Sequence, residues 1–214
     1  MDLIVVATPQ EIQPFLDKQG RTAGFLTLVT GPGCVESALH LARFLAASPR
    51  PAVSRVINVG VAGAYRDTGV ELLDICLAEH EILADFGIAS GDRLEALTFP
   101  GVPDTCLTFD QPLVNACAAK LLATHNIPKR GRFLTVNSVS GTWQRGGYLR
   151  DKHQAICENM EGFAVARVCQ SFLLPHLELR TVSNFVEDRN LNGWQMAEAC
   201  ALLAEALPAV IDYS

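Results

Sequence analysis

Short apolar, β-branched runs alternate along the chain with segments whose apolar residues recur at helical spacing. The runs are DLIVVA (2–7), FLTLVT (25–30), RVINVG (55–60), LLDICLA (72–78), RFLTVNSV (132–139) and LELRTVSN (177–184). Each has the length and residue types of a strand. Between them, Val35, Ala38, Leu39, Ala42, Leu45 and Ala46 follow the i, i+3, i+4, i+7 spacing of one helix face, as do Leu113, Ala116, Cys117 and Leu121. Residues 160–174 are apolar nearly all round and predict a buried helix. A last helix is expected from an N-cap at Asn192, with Gln195 three residues on, to about Ile211. Strands alternating with helices predict an α/β fold: a mostly parallel central sheet flanked by helices. Ligands of such sheets bind at the carboxyl ends of the strands. Residues 84–110, with Gly87, Gly91, Pro100, Gly101 and Pro103, read as an excursion over the sheet that covers a site.

Composition narrows the classes. The chain has 214 residues, 49% of them hydrophobic, which supports one domain over 1–214. The net charge is -6 and no Lys/Arg stripe forms, so nucleic acid is not an expected partner. No apolar run is long enough to span a bilayer, so no membrane association is expected. The opening MDLIVVATPQE has no basic n-region, so a cytoplasmic location is expected. Seven cysteines, an odd number without CxxC, read as reduced thiols packed as small hydrophobes. There is no HExxH, and His80-Glu81 reads as a surface dipeptide; neither a metal nor another cofactor is expected.

The residues after the strands carry the candidate chemistry. Glu11, in TPQEI, stands in the first turn of a helix at the sheet's mouth, where an acid also complements the helix dipole. Gly31 and Gly33, in TGPG, make a turn whose N–H groups suit an oxygen-rich ligand, or an ordinary strand–helix connection. Gly60 and Gly63, in NVGVAG, permit close approach of a ligand or of neighbouring protein. Asn58, polar in an apolar strand, needs partners. In CENMEGFAVARV, two acids and an asparagine stand at the mouth of the most hydrophobic helix, and Glu161 is the acid least explained by helix capping alone.

Together, TPQEI, TGPG, NVGVAG, ENMEG and RTVSN resemble, in order and spacing, the purine nucleoside phosphorylase/nucleosidase superfamily over about residues 2–210. The closest resemblance is to its nucleosidase branch, within it the futalosine hydrolases. The resemblance implies a nucleoside phosphorylase-like fold and a homodimer or larger homo-oligomer. It implies Glu11 as the base that activates water, and Met160 and Glu161 against the ribose, beside Asn159. Val61, Ala62 and Gly63 become the cradle for base and ribose. Ser183 and Asn184 become the purine readers. The stacking aromatic falls near Gly141, at Thr142 and Trp143. Related phosphorylases carry an Arg where this chain has Asn58. A phosphate site lacking its guanidinium loses the charge-assisted grip, so water is the expected nucleophile.

Where adenine-cleaving relatives carry Asp, this chain has Asn184. Adenine offers N7 as an acceptor and N6–H₂ as a donor; a 6-oxopurine offers two acceptors, N7 and O6. An amide NH₂ donates to both. The resemblance and this amide together imply hydrolysis of futalosine, a hypoxanthine nucleoside of menaquinone biosynthesis, to hypoxanthine and dehypoxanthinyl futalosine. Phe86, Phe109 and Arg145 are candidates for its 5′ carboxyphenyl group. Alternatives are a nucleosidase or phosphorylase acting on inosine or guanosine, one acting on methylthioadenosine, and a nucleoside-binding protein without activity.

Overall fold

The computed structural model describes residues 1–19, 24–47, 53–90, 93–97 and 99–211. Gly91 of the expected excursion lies outside the described residues. All six predicted strands are present: β1 (Asp2–Val6), β2 (Phe25–Val29), β3 (Arg55–Ala64), β4 (Ile75–Leu83), β8 (Lys129–Thr135) and β10 (His176–Phe185). Four short strands were not foreseen. They are β5 (Ile88–Ser90), β6 (Arg93–Glu95), β7 (Cys106–Thr108) and β9 (Ala155–Asn159). The helices are α1 (Pro9–Gln19), α2 (Cys34–Ala47), α3 (Gln111–Ala123), α4 (Trp143–His153), α5 (Gly162–Ser171) and α6 (Met196–Val210).

The sheet is mixed, with parallel pairs in the majority, in the order β10-β4-β8-β9-β3-β1-β2; β7 pairs with β4. Because β10 also pairs with β3, the strands β3, β9, β8, β4 and β10 close into a ring. β1 is buried along its whole length, as expected of a strand covered on both faces. Its Leu3 and Val5 pack with Leu41, Leu45 and Val165 of α2 and α5. Ile4 and Val6 pack with Ile12, Phe15 and Leu203 of α1 and α6. The period-two alternation of one strand thus builds two helical layers.

Three expectations need correction. Of the predicted apolar face of α2 only Leu45 is buried: Val35 is 75% and Leu39 48% exposed, while Ser37 and Leu41 turn inward beside Leu45. The last helix begins at Met196, not at Asn192, because Asn190 first caps a 3-10 turn over Leu191–Gly193. The described residues of 84–110 form the antiparallel pair β5–β6 and β7, and none of them lines the site cavities; Leu94 bonds the Tyr148 hydroxyl of α4 in both directions.

Three strand ends converge to make the site. β1, β3 and β10 run parallel, so their carboxyl ends share one edge. β9 meets β3 only at the last residues of each, with Gly63 opposite Glu158. The β3–β10 register slips between Val182 and Asn184. This bulge lets two successive side chains, Ser183 and Asn184, face the same cavity, where regular alternation would send them apart.

Candidate active site

A cavity of about 260 Å³ opens at these strand ends. Glu11, Val61, Ala62, Gly63, Asn159, Met160, Glu161, Ser183 and Asn184 all line it, joined by Glu158, Val139, Trp194 and Met196. A second compartment of about 210 Å³ shares Gly63, Val139, Glu158, Asn184 and Trp194 with the first, and extends towards Arg66 and Phe185.

Glu11 is positioned by a capping box. Thr8-Pro9-Gln10-Glu11 puts proline at the first helical position, and the Glu11 carboxylate reaches back to the Thr8 N–H at 2.9 Å. The Thr8 hydroxyl donates to the same oxygen at 2.7 Å, and the Val61 N–H donates to the other at 3.0 Å. The capping and site readings of Glu11 therefore describe one conformation. Gly60 makes it sterically possible: a Cβ there would lie 2.6 Å from Glu11 Oε1 and 2.7 Å from Arg180 Nη1.

Glu161 stands at the N-cap of α5, but its carboxylate is not the cap. One oxygen accepts the Gly33 N–H at 3.0 Å and the other the Arg180 guanidinium at 3.3 Å. The TGPG turn, with Gly31 and Gly33 at positive φ, thus holds a carboxylate of the protein itself. The cap of α5 is Asn159. Its Oδ1 accepts the N–H groups of Glu161 and Gly162 at 2.9 and 2.7 Å, and its amide nitrogen donates to Glu81. Asn159 borders the cavity with both polar ends engaged.

Behind the wall lies a buried ionic cluster that includes Glu81, which the sequence places in a surface dipeptide but which is 0% exposed. Arg180 is 1% exposed. It donates to Glu178 at 2.9 Å, to Glu161, to the Asn159 carbonyl oxygen and to the backbone oxygen of Val61. Burial opposes its charge, but Glu178, Glu161 and Glu11 outweigh that and hold its proton more firmly than usual. Asn58 stands opposite Glu178 in the β3–β10 register. Burial, and then the charge of Glu178, push the Glu81 carboxyl well above the ordinary range; the Thr135 hydroxyl donates to it. Gly162 leaves room for Glu81 and Glu178, since a Cβ there would meet both within 2.7 Å. The Cys34 thiol, whose sulfur contacts the Met160 carbonyl, is pushed up to about 11 by burial and by Glu161, so it is no nucleophile at neutral pH.

At the other end, Asn184 is set by its neighbours. The Ser183 hydroxyl donates to its Oδ1 at 2.9 Å, which fixes the amide orientation, and one amide N–H goes to the Phe185 carbonyl at 3.1 Å. One N–H remains for the cavity, not the two expected.

Other expected site residues lie elsewhere. Thr142 caps α4 by accepting the Arg145 N–H, and Trp143 is 43% exposed, its backbone bonded to Asp188. α4 starts there and carries both away, so Val139 and Ser140 supply that wall instead, and the tryptophan at the cavity is Trp194. Trp194 arrives on the 3-10 turn after β10, which the Gln195 N–H ties to the Ser183 carbonyl at 2.7 Å. Phe109 is buried against His176 at the start of β10, ring centroids 5.0 Å apart, far along the strand from the site. Phe86 and Arg145 line neither compartment; Arg145 bonds Ser138 and faces Asp85.

Residues 3–212 match the model of the Phosphorylase superfamily, and the chain belongs to that family. It is 34% identical to a futalosine hydrolase of Thermus thermophilus over 86% of this chain and 80% of that one. It is also 34% identical to futalosine hydrolases of Streptomyces coelicolor and Acidothermus cellulolyticus, but spans only 63% and 64% of their lengths. Among solved structures, a futalosine hydrolase mutant of Helicobacter pylori superposes with a TM-score of 0.83 at 21% identity, covering 98% of this chain and 97% of that one. A methylthioadenosine/S-adenosylhomocysteine nucleosidase of the same organism, complexed with a pyrrolopyrimidine-bearing pyrrolidinol, also has a TM-score of 0.83 at 20% identity, with 98% and 96% covered. At these identities the structural likeness establishes the fold.

The cluster makes stability depend on pH. Glu81 has a raised pKa, so the folded chain keeps a proton that the unfolded chain releases near pH 4.3. Its contribution is complete below that pH and is lost as pH rises through the raised value. Glu81→Gln carries a permanent neutral amide, so its melting temperature should gain on the wild type's as pH is raised from about 5 to about 9. Parallel melting curves across that range would show that Glu81 holds no such proton.

Proposed function

We propose that this member of the Phosphorylase superfamily hydrolyses the N-glycosidic bond of futalosine, releasing hypoxanthine and dehypoxanthinyl futalosine. The observation that carries this reading is the charge of the cavity: Glu11, Glu158 and Glu161 line it, with no lysine or arginine among its described lining residues. Arg180, just behind, is already engaged by Glu178 and Glu161. Three carboxylates favour an oxocarbenium-like sugar and repel a phosphate dianion. The curated relatives named above support the substrate.

In this mechanism Glu11 removes a proton from the attacking water, its plane held by Thr8 and Val61. Glu161, fixed by Gly33 and Arg180, takes the ribose hydroxyls and stabilises the developing positive charge. Met160 packs on the sugar. Asn184, oriented by Ser183, donates its free N–H to the purine as negative charge grows on the leaving base. Trp194, not Trp143, is the aromatic against the base. Hydrolysis of plain inosine or guanosine is the competing enzymatic reading.

A second copy of the chain completes the assembly in this proposal. Its support is the apolar groove of Val35, Ala38, Leu83, Phe163, Ala164 and Val168, formed by the α2 face that reads as core yet stands exposed, directly beside the Glu161 end of α5. Free cysteines fit a reducing, cytoplasmic location.

Pure protein incubated with futalosine in phosphate-free buffer should release hypoxanthine, measured by chromatography; release only on adding phosphate would contradict hydrolysis. Glu11→Gln should lower kcat by about 10²–10⁴. Asn184→Asp should move the kcat/KM ratio towards 6-amino nucleosides, and an unchanged ratio would count against Asn184 as a base reader. Light scattering should give a dimer or larger for the wild type and a smaller species for Val35→Glu; a wild-type monomer would remove the interface.

A further inference from the structure

Glu158 is the one carboxylate common to both compartments, and beyond its charge the mechanism gives it no contact with the substrate. It is 5% exposed. Its support is unusually complete for a residue with no assigned task. Oε2 accepts the Tyr65 hydroxyl and the Ser140 hydroxyl, each at 2.8 Å, and Oε1 accepts the Ser140 N–H at 2.7 Å. It makes no ion pair among the described residues. A carboxylate offers about four acceptor positions, so Oε1 keeps one open. Burial, and then the Glu158 charge, push the Tyr65 hydroxyl well above its ordinary pKa, so Tyr65 stays a donor to this carboxylate.

The position opposite is Gly63, the register partner of Glu158. A Cβ on Gly63 would lie 2.9 Å from Val186 Cγ2, 3.2 Å from Asn184 Nδ2 and 3.8 Å from Glu158 Cγ. The glycine therefore lets the amide donor and the carboxylate come close at one edge of the space that both compartments share. Only one Asn184 N–H reaches that space. One donor cannot separate a 6-oxopurine from adenine, because both present N7 as an acceptor. The edges differ further round the ring: a 6-oxopurine carries N1–H, a donor, beside O6, whereas adenine carries a bare N1 acceptor beside its amino group. A fixed acceptor next to a fixed donor matches the first edge and opposes the second.

We propose that Glu158 is a specificity-determining residue: across Gly63 from Asn184, its open carboxylate position accepts N1–H of a 6-oxopurine and turns away the N1 lone pair of adenine. This rests on the purine nucleosidase reading of the site and deepens it. It divides the work between two residues, Asn184 serving the leaving-group charge and Glu158 the choice of base. A group built to hydrogen-bond one atom rejects the analogue that lacks it strongly, because the buried partner is left unpaired.

Calorimetry with free hypoxanthine, 1-methylhypoxanthine and adenine tests this without any mutation. The wild type should bind hypoxanthine at least ~10-fold more tightly than either other base. Glu158→Gln, which keeps an oxygen for the Ser140 N–H but removes the charge, should narrow the hypoxanthine-to-adenine ratio about fivefold or more. In kcat/KM it should lose activity on the hypoxanthine nucleoside and lose less, or gain, on its 6-amino analogue; a merely structural Glu158 would lower both alike. If futalosine is cleaved while hypoxanthine and its N1-methyl form bind equally, the Glu158 assignment falls alone. If no purine binds and futalosine is untouched, it falls together with the nucleosidase reading.

Discussion

The site depends on burying one guanidinium. Arg180 sits in the interior of β10 with carboxylates from Glu178 and Glu161 around it and the Asn159 cap and the Val61 carbonyl completing its donors. A buried charge of this kind is tolerable only when its partners are all present, and removing one member leaves an uncompensated ion costing about 3–5 kcal/mol. That requirement joins β3, β9, β10 and α5 at one point. Gly60 and Gly162 follow from it, since side chains there would occupy the space of the charged groups. Glu161 is held at the cavity wall by the same arginine, and Glu11 by the amide of Val61, whose carbonyl the arginine also bonds.

The cavity in front inherits an unbalanced charge. Arg180 is spent behind the wall, so Glu11, Glu158 and Glu161 line the first compartment with no cation of its described lining beside them, while Arg66 and Arg189 border only the second. Such a cavity suits a reaction in which the sugar becomes positive and the nucleophile is neutral. The bulge at Ser183 turns the Asn184 amide towards the same cavity, where the proposed reaction places the negative charge of the base. Geometry separates the two ends: carboxylates at the β1 and α5 side, the Asn184 amide and Glu158 at the convergence of β3, β9 and β10.

The strand pattern and the strand-end residues were legible because apolar runs and turn glycines report directly on local structure. Five features were not. The α2 face was assigned inward because Val35 and Leu39 keep perfect helical spacing, but spacing does not say what covers a face. The resemblance puts Trp143 at the purine, but α4 starts on the Thr142 cap and shifts the cavity wall back to Val139 and Ser140. The start of α6 lies later because Asn190 caps a separate 3-10 turn and α6 begins only after Gln195. Arg180 was overlooked within an apolar run, although Glu178 and Arg180 stand two apart on one face of an otherwise buried strand. That period-two pair of opposite charges was the available signal of a buried cluster. Glu158 was noticed only as one of two acids, since its link to Tyr65 and Ser140 spans 93 and 18 residues.

The most direct test of the account is a substrate panel on one preparation in phosphate-free buffer: futalosine, its 6-amino analogue, inosine and methylthioadenosine, compared by kcat/KM. The account predicts futalosine first, with the loss of either the 6-oxo group or the 5′ substituent lowering kcat/KM by an order of magnitude or more. Equal or better cleavage of methylthioadenosine would contradict it.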